Sequence, residues 1–104
     1  MQGKLREITG FEWDPWNIEK NKVKHRVLPK ECEDIFFNKP LIIIPDTRHS
    51  FVEERYAALG ITDTGRVLTI IFTFRGSRIR VISARDQSMK EKIVFATHSK
   101  LAVE

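Results

Sequence analysis

The stretch RVLTIIFTFRGSRIRVISA, Arg66 to Ala84, decides the fold. In its first half Leu68, Ile70, Phe72 and Phe74 fall on one side, and Thr69, Thr73 and Arg75 fall on the other. This two-residue alternation is that of a half-buried strand. Gly76-Ser77 is a short turn, after which Ile79 and Val81 resume the apolar side, so Arg66 to Arg75 and Arg78 to Ala84 pair as an antiparallel hairpin. Upstream, Arg55 to Thr62 carries a third strand signal and joins the first through Asp63-Thr64-Gly65. The three strands form a β-meander.

Working outward, Phe11 to Trp13 reads as a short strand. Asp14 followed by Pro15 is a helix start, because the carboxylate caps free N–H groups and proline fills the first turn without losing a hydrogen bond. The helix is expected over Pro15 to His25, with Trp16, Val23 and the following Val27 on its apolar side and Asn21 and His25 nearly opposite. A second helix, Pro29 to Phe37, carries Cys32, Ile35 and Phe36 at the helical repeat. Leu41 to Ile44 reads as a buried strand ended by Pro45-Asp46, and Asp46 to Ser50 as a polar loop. Ser88 with Glu91 three residues on is a capping box opening a C-terminal helix with Met89, Ile93 and Ala96 on one face. The expected class is α+β: two N-terminal helices, a mostly antiparallel meander sheet and a closing helix.

The chain has 104 residues and 41% hydrophobic content, enough for one modest core, so a single domain over 1–104 is expected, with its core over about 11–98. Lys and Arg number 18 against 14 Asp and Glu, for a net charge of +4. Arg75, Arg78, Arg80 and Arg85 fall within eleven residues that contain no acid. Guanidinium forks crowded without counter-charges suit phosphate oxygens, the plainer alternative being a solvated hairpin face. Arg75 and Arg80 share the polar face of the hairpin. Arg85 has the opposite parity and joins them only if the strand ends or bulges near Ser83 to Arg85.

The single cysteine, Cys32, excludes an internal disulfide and suits a reducing compartment. A zinc site, a membrane span and a signal peptide have no sequence support, and cytoplasm is the expected location. Neither a glycine-rich phosphate loop, a GxSxG elbow nor paired carboxylates for magnesium occurs, so the expectation is chemistry without metal or other cofactor. RNA supplies its own nucleophile, the 2′-hydroxyl. Its cleavage needs a proton acceptor, cations for the developing charge on phosphorus and a donor for the leaving oxygen.

Phe11-Glu12-Trp13-Asp14-Pro15, Asn21, Lys24-His25, Pro45-Asp46, Arg48-His49-Ser50, Glu54-Arg55, and Arg80-Val81-Ile82-Ser83-Ala84-Arg85 with Glu91 together resemble the BrnT family of bacterial toxins. The resemblance runs from about Phe11 to Phe95. It implies a RelE-like fold, RNA cleavage that inhibits translation, and neutralisation by a BrnA-like ribbon-helix-helix antitoxin. It also implies a 2:2 assembly that contacts operator DNA through the antitoxin. By position it implies an active-site set of His25, Glu54, Arg75, Arg80 and Arg85, with Lys24, Arg55, Arg48 and His49 binding RNA. His25 would transfer protons, the three sheet arginines would hold phosphate, and Glu54 is an alternative base. The chain departs from the family pattern at Arg26, usually glycine, at Leu28-Pro29-Lys30, and at Phe95, where a tyrosine is expected. The alternatives are a catalytically weak RNA-binding corepressor and, less favoured, an interaction domain with no nucleic-acid role.

Overall fold

The structure is a computed structural model that describes residues 5, 7–47 and 53–103, the last five as backbone only. In chain order the elements are β1 (Gly10–Glu12), α1 (Pro15–His25), α2 (Pro29–Phe37), β2 (Ile42–Pro45), β3 (Tyr56–Ile61), β4 (Val67–Arg75), β5 (Arg78–Asp86) and α3 (Met89–Val103). The strands form one sheet in the order β1-β5-β4-β3-β2, antiparallel throughout except for the β1–β5 pair. The α+β class and the meander are as the alternation indicated. The parallel pairing of β1 is not legible from a three-residue segment. No helix among the described residues is long and apolar enough to cross a membrane.

One face of the sheet makes the main core. Leu68, Ile70 and Phe72 of β4, Ile79, Val81 and Ala84 of β5, and Ala58 of β3 are buried there, together with Cys32 and Ile35 of α2. The approach of α2 is close enough that a Cβ on Gly60 would come within 2.7 Å of the Ile35 Cβ, so β3 passes under the helix only with glycine there. Burial pushes the Cys32 thiol up to about 12, leaving it an inert apolar filler.

Helix α1 corrects the expectation. Its apolar residues Trp16 and Val23 are 74% and 71% exposed, while Asn21 is 1% exposed. The reason lies in what the helix packs on. β1 pairs only with Arg78 to Arg80, and past that point the backbone edge of β5 is open. There the Asn17 side-chain amide donates to the Val81 carbonyl at 3.3 Å, and Lys20 Nζ to the Ile82 carbonyl at 3.2 Å. The Ala84 N–H donates to the Asn21 side-chain oxygen at 3.2 Å. A helix that seals a strand edge must bury polar groups, since an unmet N–H or C=O costs about as much as a lost hydrogen bond. Of the expected apolar series, Trp16 and Val23 therefore face outward, and Val27, just past the left-handed Arg26, is the member that enters the core.

Strand β2 is likewise an edge rather than a buried strand, with Ile44 40% exposed and Pro45 contributing no N–H to the rim. In α3 the stripe of Met89, Ile93 and Ala96 faces outward, and Phe95 is the side that packs down.

Helix α1 begins as its sequence indicates, with the Asp14 carboxylate accepting the Trp16 N–H at 2.8 Å. It ends at Arg26, whose φ of 56° and ψ of 39° are left-handed. The Arg26 and Val27 N–H groups then turn back onto the Lys22 and Asn21 carbonyls, each at 3.1 Å. Glycine suits this position because a Cβ in the left-handed region costs about 1–2 kcal/mol. Arg26→Gly is accordingly expected to raise stability by about 0.5–1 kcal/mol, part of the strain relief being offset by the freer unfolded chain. A urea midpoint that stays put or falls in that variant would show that the turn is unstrained.

Candidate functional site

The sheet face opposite α2 carries the chemistry-bearing residues. In the β4–β5 register, Ile71 is opposite Ser83 but Phe72 is opposite Val81, which leaves Ile82 as an extra residue. This bulge reverses the parity of β5 beyond it. Ala84 enters the core, and Ser83 and Arg85 come to the same face as Arg80. The condition set by the sequence for Arg85 is thus met, with the bulge one residue before the expected segment.

The bulge opens into a groove of about 660 Å³ between α1, α3 and the β2 edge. Its floor is aliphatic, made by Ile44, Ala57, Leu59, Ile71, Ile82 and Val94. Around it stand four cations, Lys20, Arg55, Arg85 and Lys90, and two carboxylates, Asp46 and Glu91. Lys20 is aimed by the Ile82 carbonyl. Arg85 is gripped by both Glu91 oxygens, at 2.6 and 2.9 Å. The same carboxylate accepts the Ser88 N–H at 2.7 Å, and Ser88 Oγ accepts the Glu91 N–H at 3.2 Å, so the capping box that starts α3 also orients Arg85. Burial disfavours the Glu91 charge, yet the Arg85 fork and the Ser88 N–H outweigh it and bring its pKa down to about 2. Glu91 therefore remains an anchor at neutral pH and does not accept protons.

The residues singled out from the sequence are distributed over several places. Arg85 and Arg55 are in the groove. Arg80 lies on the same sheet face but outside the lining, with its two terminal nitrogens on Glu12 at 3.2 Å and Asp14 at 3.1 Å. It ties β1 and the α1 cap to β5. Arg75 is at the hairpin end, 3.4 Å from Glu53. Glu54 accepts the Tyr56 hydroxyl at 2.7 Å beside a separate hollow of about 210 Å³, and this bond raises the pKa of the phenol. Lys24 is exposed on α1, and His25 is half-buried at its C-terminal end. The His25 carbonyl accepts from Arg66, whose bond to Asp86 is the main reason that carboxyl lies below its ordinary range; the nearby His25 imidazole adds a minor part. Arg48 and His49 lie outside the described residues.

Sequence reading missed Lys20, Asp46, Lys90 and Glu91 as a set. Lys20 was hidden because edge sealing by α1 has no periodic signature, and Glu91 was legible only as a helix cap. Among the described residues, no three His, Cys, Asp or Glu side chains gather as a metal site.

A family model described as the ribonuclease toxin BrnT of type II toxin–antitoxin systems matches residues 13–91, a span that includes every groove residue except Val94. Comparison with curated proteins finds no match. Among solved structures, the crystal structure of the Brucella abortus ribonuclease toxin BrnT is similar in fold, with a TM-score of 0.60. The two are 23% identical over 77% of this chain and 97% of that one.

The Glu91 anchor has a pH signature. Its pKa falls from the ordinary 4.5 to about 2 on folding, so its contribution to stability is complete above pH 4.5 and is lost as pH drops toward 2. Thermal melts of Glu91→Gln are expected to lie below those of the unmodified chain at pH 7 and to converge with them near pH 2. A gap that stays constant across that window would show that the charge of Glu91 plays no part.

Proposed function

Because this chain belongs to the BrnT family, the ribonuclease toxins of type II toxin–antitoxin systems, we propose that it cleaves RNA endonucleolytically in the groove between α1 and α3. The observation that carries this reading is Arg85, brought to the groove face by the Ile82 bulge and held in one orientation by Glu91. A preset guanidinium is suited to the phosphate whose charge grows during cleavage, because no reorganisation is needed at the moment of reaction. Lys20, Arg55 and Lys90 track the flanking phosphates. The aliphatic floor takes the face of an unstacked base, which favours a single strand over a duplex.

In this reading the 2′-oxygen attacks phosphorus and its proton passes to the Asp46 carboxylate. The bond from phosphorus to the 5′-oxygen breaks, and the departing oxygen takes a proton from Lys20 or Lys90. The products are a 2′,3′-cyclic phosphate and a 5′-hydroxyl, and no metal is required. His25 and Glu54, the proton-transfer candidates implied by position, stand outside the groove lining, and Arg75 and Arg80 support the scaffold. The partner is a protein antitoxin, which we take to be of the ribbon-helix-helix type, with operator DNA reached through it and translation in the cytoplasm as the target. One observation favours the alternative of a catalytically weak corepressor: Arg75, Arg80 and Arg85 are all already engaged by carboxylates.

Purified protein incubated with single-stranded RNA in EDTA is expected to cleave it. Arg85→Ala should lower the rate about 100-fold and Asp46→Asn by a similar factor. Lys20→Ala should mainly weaken binding and flatten its salt dependence. His25→Ala is expected to stay within about threefold of the unmodified chain; loss of activity there with Asp46→Asn unaffected would move the proton acceptor to His25. Binding without any cleavage would favour the corepressor.

A further inference from the structure

Helix α3 is apolar on two opposed sides. The helical repeat places Phe95 toward the sheet, buried at 7% exposure, with Glu91 beside it on Arg85. On the far side Met89 and Ile93 are 72% and 61% exposed, and Ala96 continues the same exposed line. These three stand at i, i+4 and i+7, the spacing of a continuous seam. A helix with apolar residues on both sides is one that is covered on both sides, since helical stability in water comes mainly from packing. Among the described residues, only the inner side is covered.

Charge identifies the occupant. Lys90 and Lys92 flank the seam on its two sides, and no acid among the described α3 residues lies between them on the outward face, Glu91 being turned inward to Arg85. Apolar anchors bordered by lysines complement an amphipathic helix with an aliphatic stripe and acidic borders. Lys90 and Val94 also belong to the groove wall, so whatever occupies the seam abuts the groove.

We propose that the Met89–Ile93–Ala96 seam is the docking surface for an acidic amphipathic helix of the antitoxin. Seated there, its carboxylates pair with Lys90 and Lys92, removing one of the four groove cations and crowding the groove mouth. The inference rests on the chain being a toxin with a protein antitoxin, and not on the mechanism of cleavage.

The test uses the whole chain and the purified antitoxin encoded in the same operon, with affinity measured by calorimetry. Met89→Glu combined with Ile93→Glu is expected to weaken binding at least 100-fold, with the circular dichroism of the free chain unchanged because both positions are exposed. Lys92→Glu should weaken it about tenfold and reduce its salt dependence. Affinities within twofold of the unmodified chain in both variants would overturn the proposal. So would a free chain that is dimeric, becomes monomeric on Met89→Glu with Ile93→Glu, and keeps its antitoxin affinity, because the seam would then belong to a second copy. RNA cleavage by the free Met89→Glu/Ile93→Glu variant is expected to match the unmodified chain and to resist the antitoxin. If neither chain cleaves RNA while antitoxin affinity still falls, the docking surface stands and the nuclease reading does not.

Discussion

The extra residue Ile82 in β5 is the constraint on which the site depends. Were β5 paired regularly through Ile82 instead, its parity would carry Arg85 into the core face and Ala84 out of it, an arrangement that buries a guanidinium against Leu68. With the bulge, β5 can be apolar toward α2 along its whole length and still present Arg80 and Arg85 together on the other face. The bulge also turns the Ile82 carbonyl to the strand edge, where Lys20 takes it. Strand irregularity, edge sealing and cation placement are thus one local event.

The polar side of α1 follows from the same event. Because β1 covers only the first three residues of β5, the remaining edge would stand open to pairing by another chain. Asn17, Lys20 and Asn21 close it at the expense of exposing Trp16 and Val23. The end of the helix is secured separately by Arg66, which donates to the Arg26 carbonyl at 2.8 Å and the His25 carbonyl at 3.1 Å. The same guanidinium pairs with Asp86 at 2.7 Å and with Glu31 at 3.3 Å. One guanidinium therefore joins the end of α1, the start of α2 and the last residue of β5.

The arginines of this chain divide between two tasks that charge alone does not distinguish. Arg66 and Arg80 are each shared among several elements and serve the scaffold. Among the described residues Arg85 has one carboxylate partner, which belongs to a helix cap, and besides the adjacent Asp86 carbonyl its guanidinium borders the groove. A fork held on one side by a carboxylate keeps its orientation and still presents hydrogen-bond capacity on the other. This separates a guanidinium that still faces the groove from one shared between elements of the fold.

The sequence by itself determined the meander, the helix limits at Pro15, His25, Pro29 and Phe37, and the family, because alternation, caps and motif spacing are local and every residue involved reports on its neighbours. It also placed Arg55 and Arg85 among the functional candidates. Only the tertiary structure decided that Asn21 is buried and Trp16 exposed, that Arg80 braces β1, and that Lys20, Asp46 and Lys90 meet Arg85 around one groove. Those outcomes depend on which backbone edge lies open and on where one extra residue enters a strand. Side-chain periodicity carries no record of either, since an edge calls for polar partners and a bulge changes parity without changing composition.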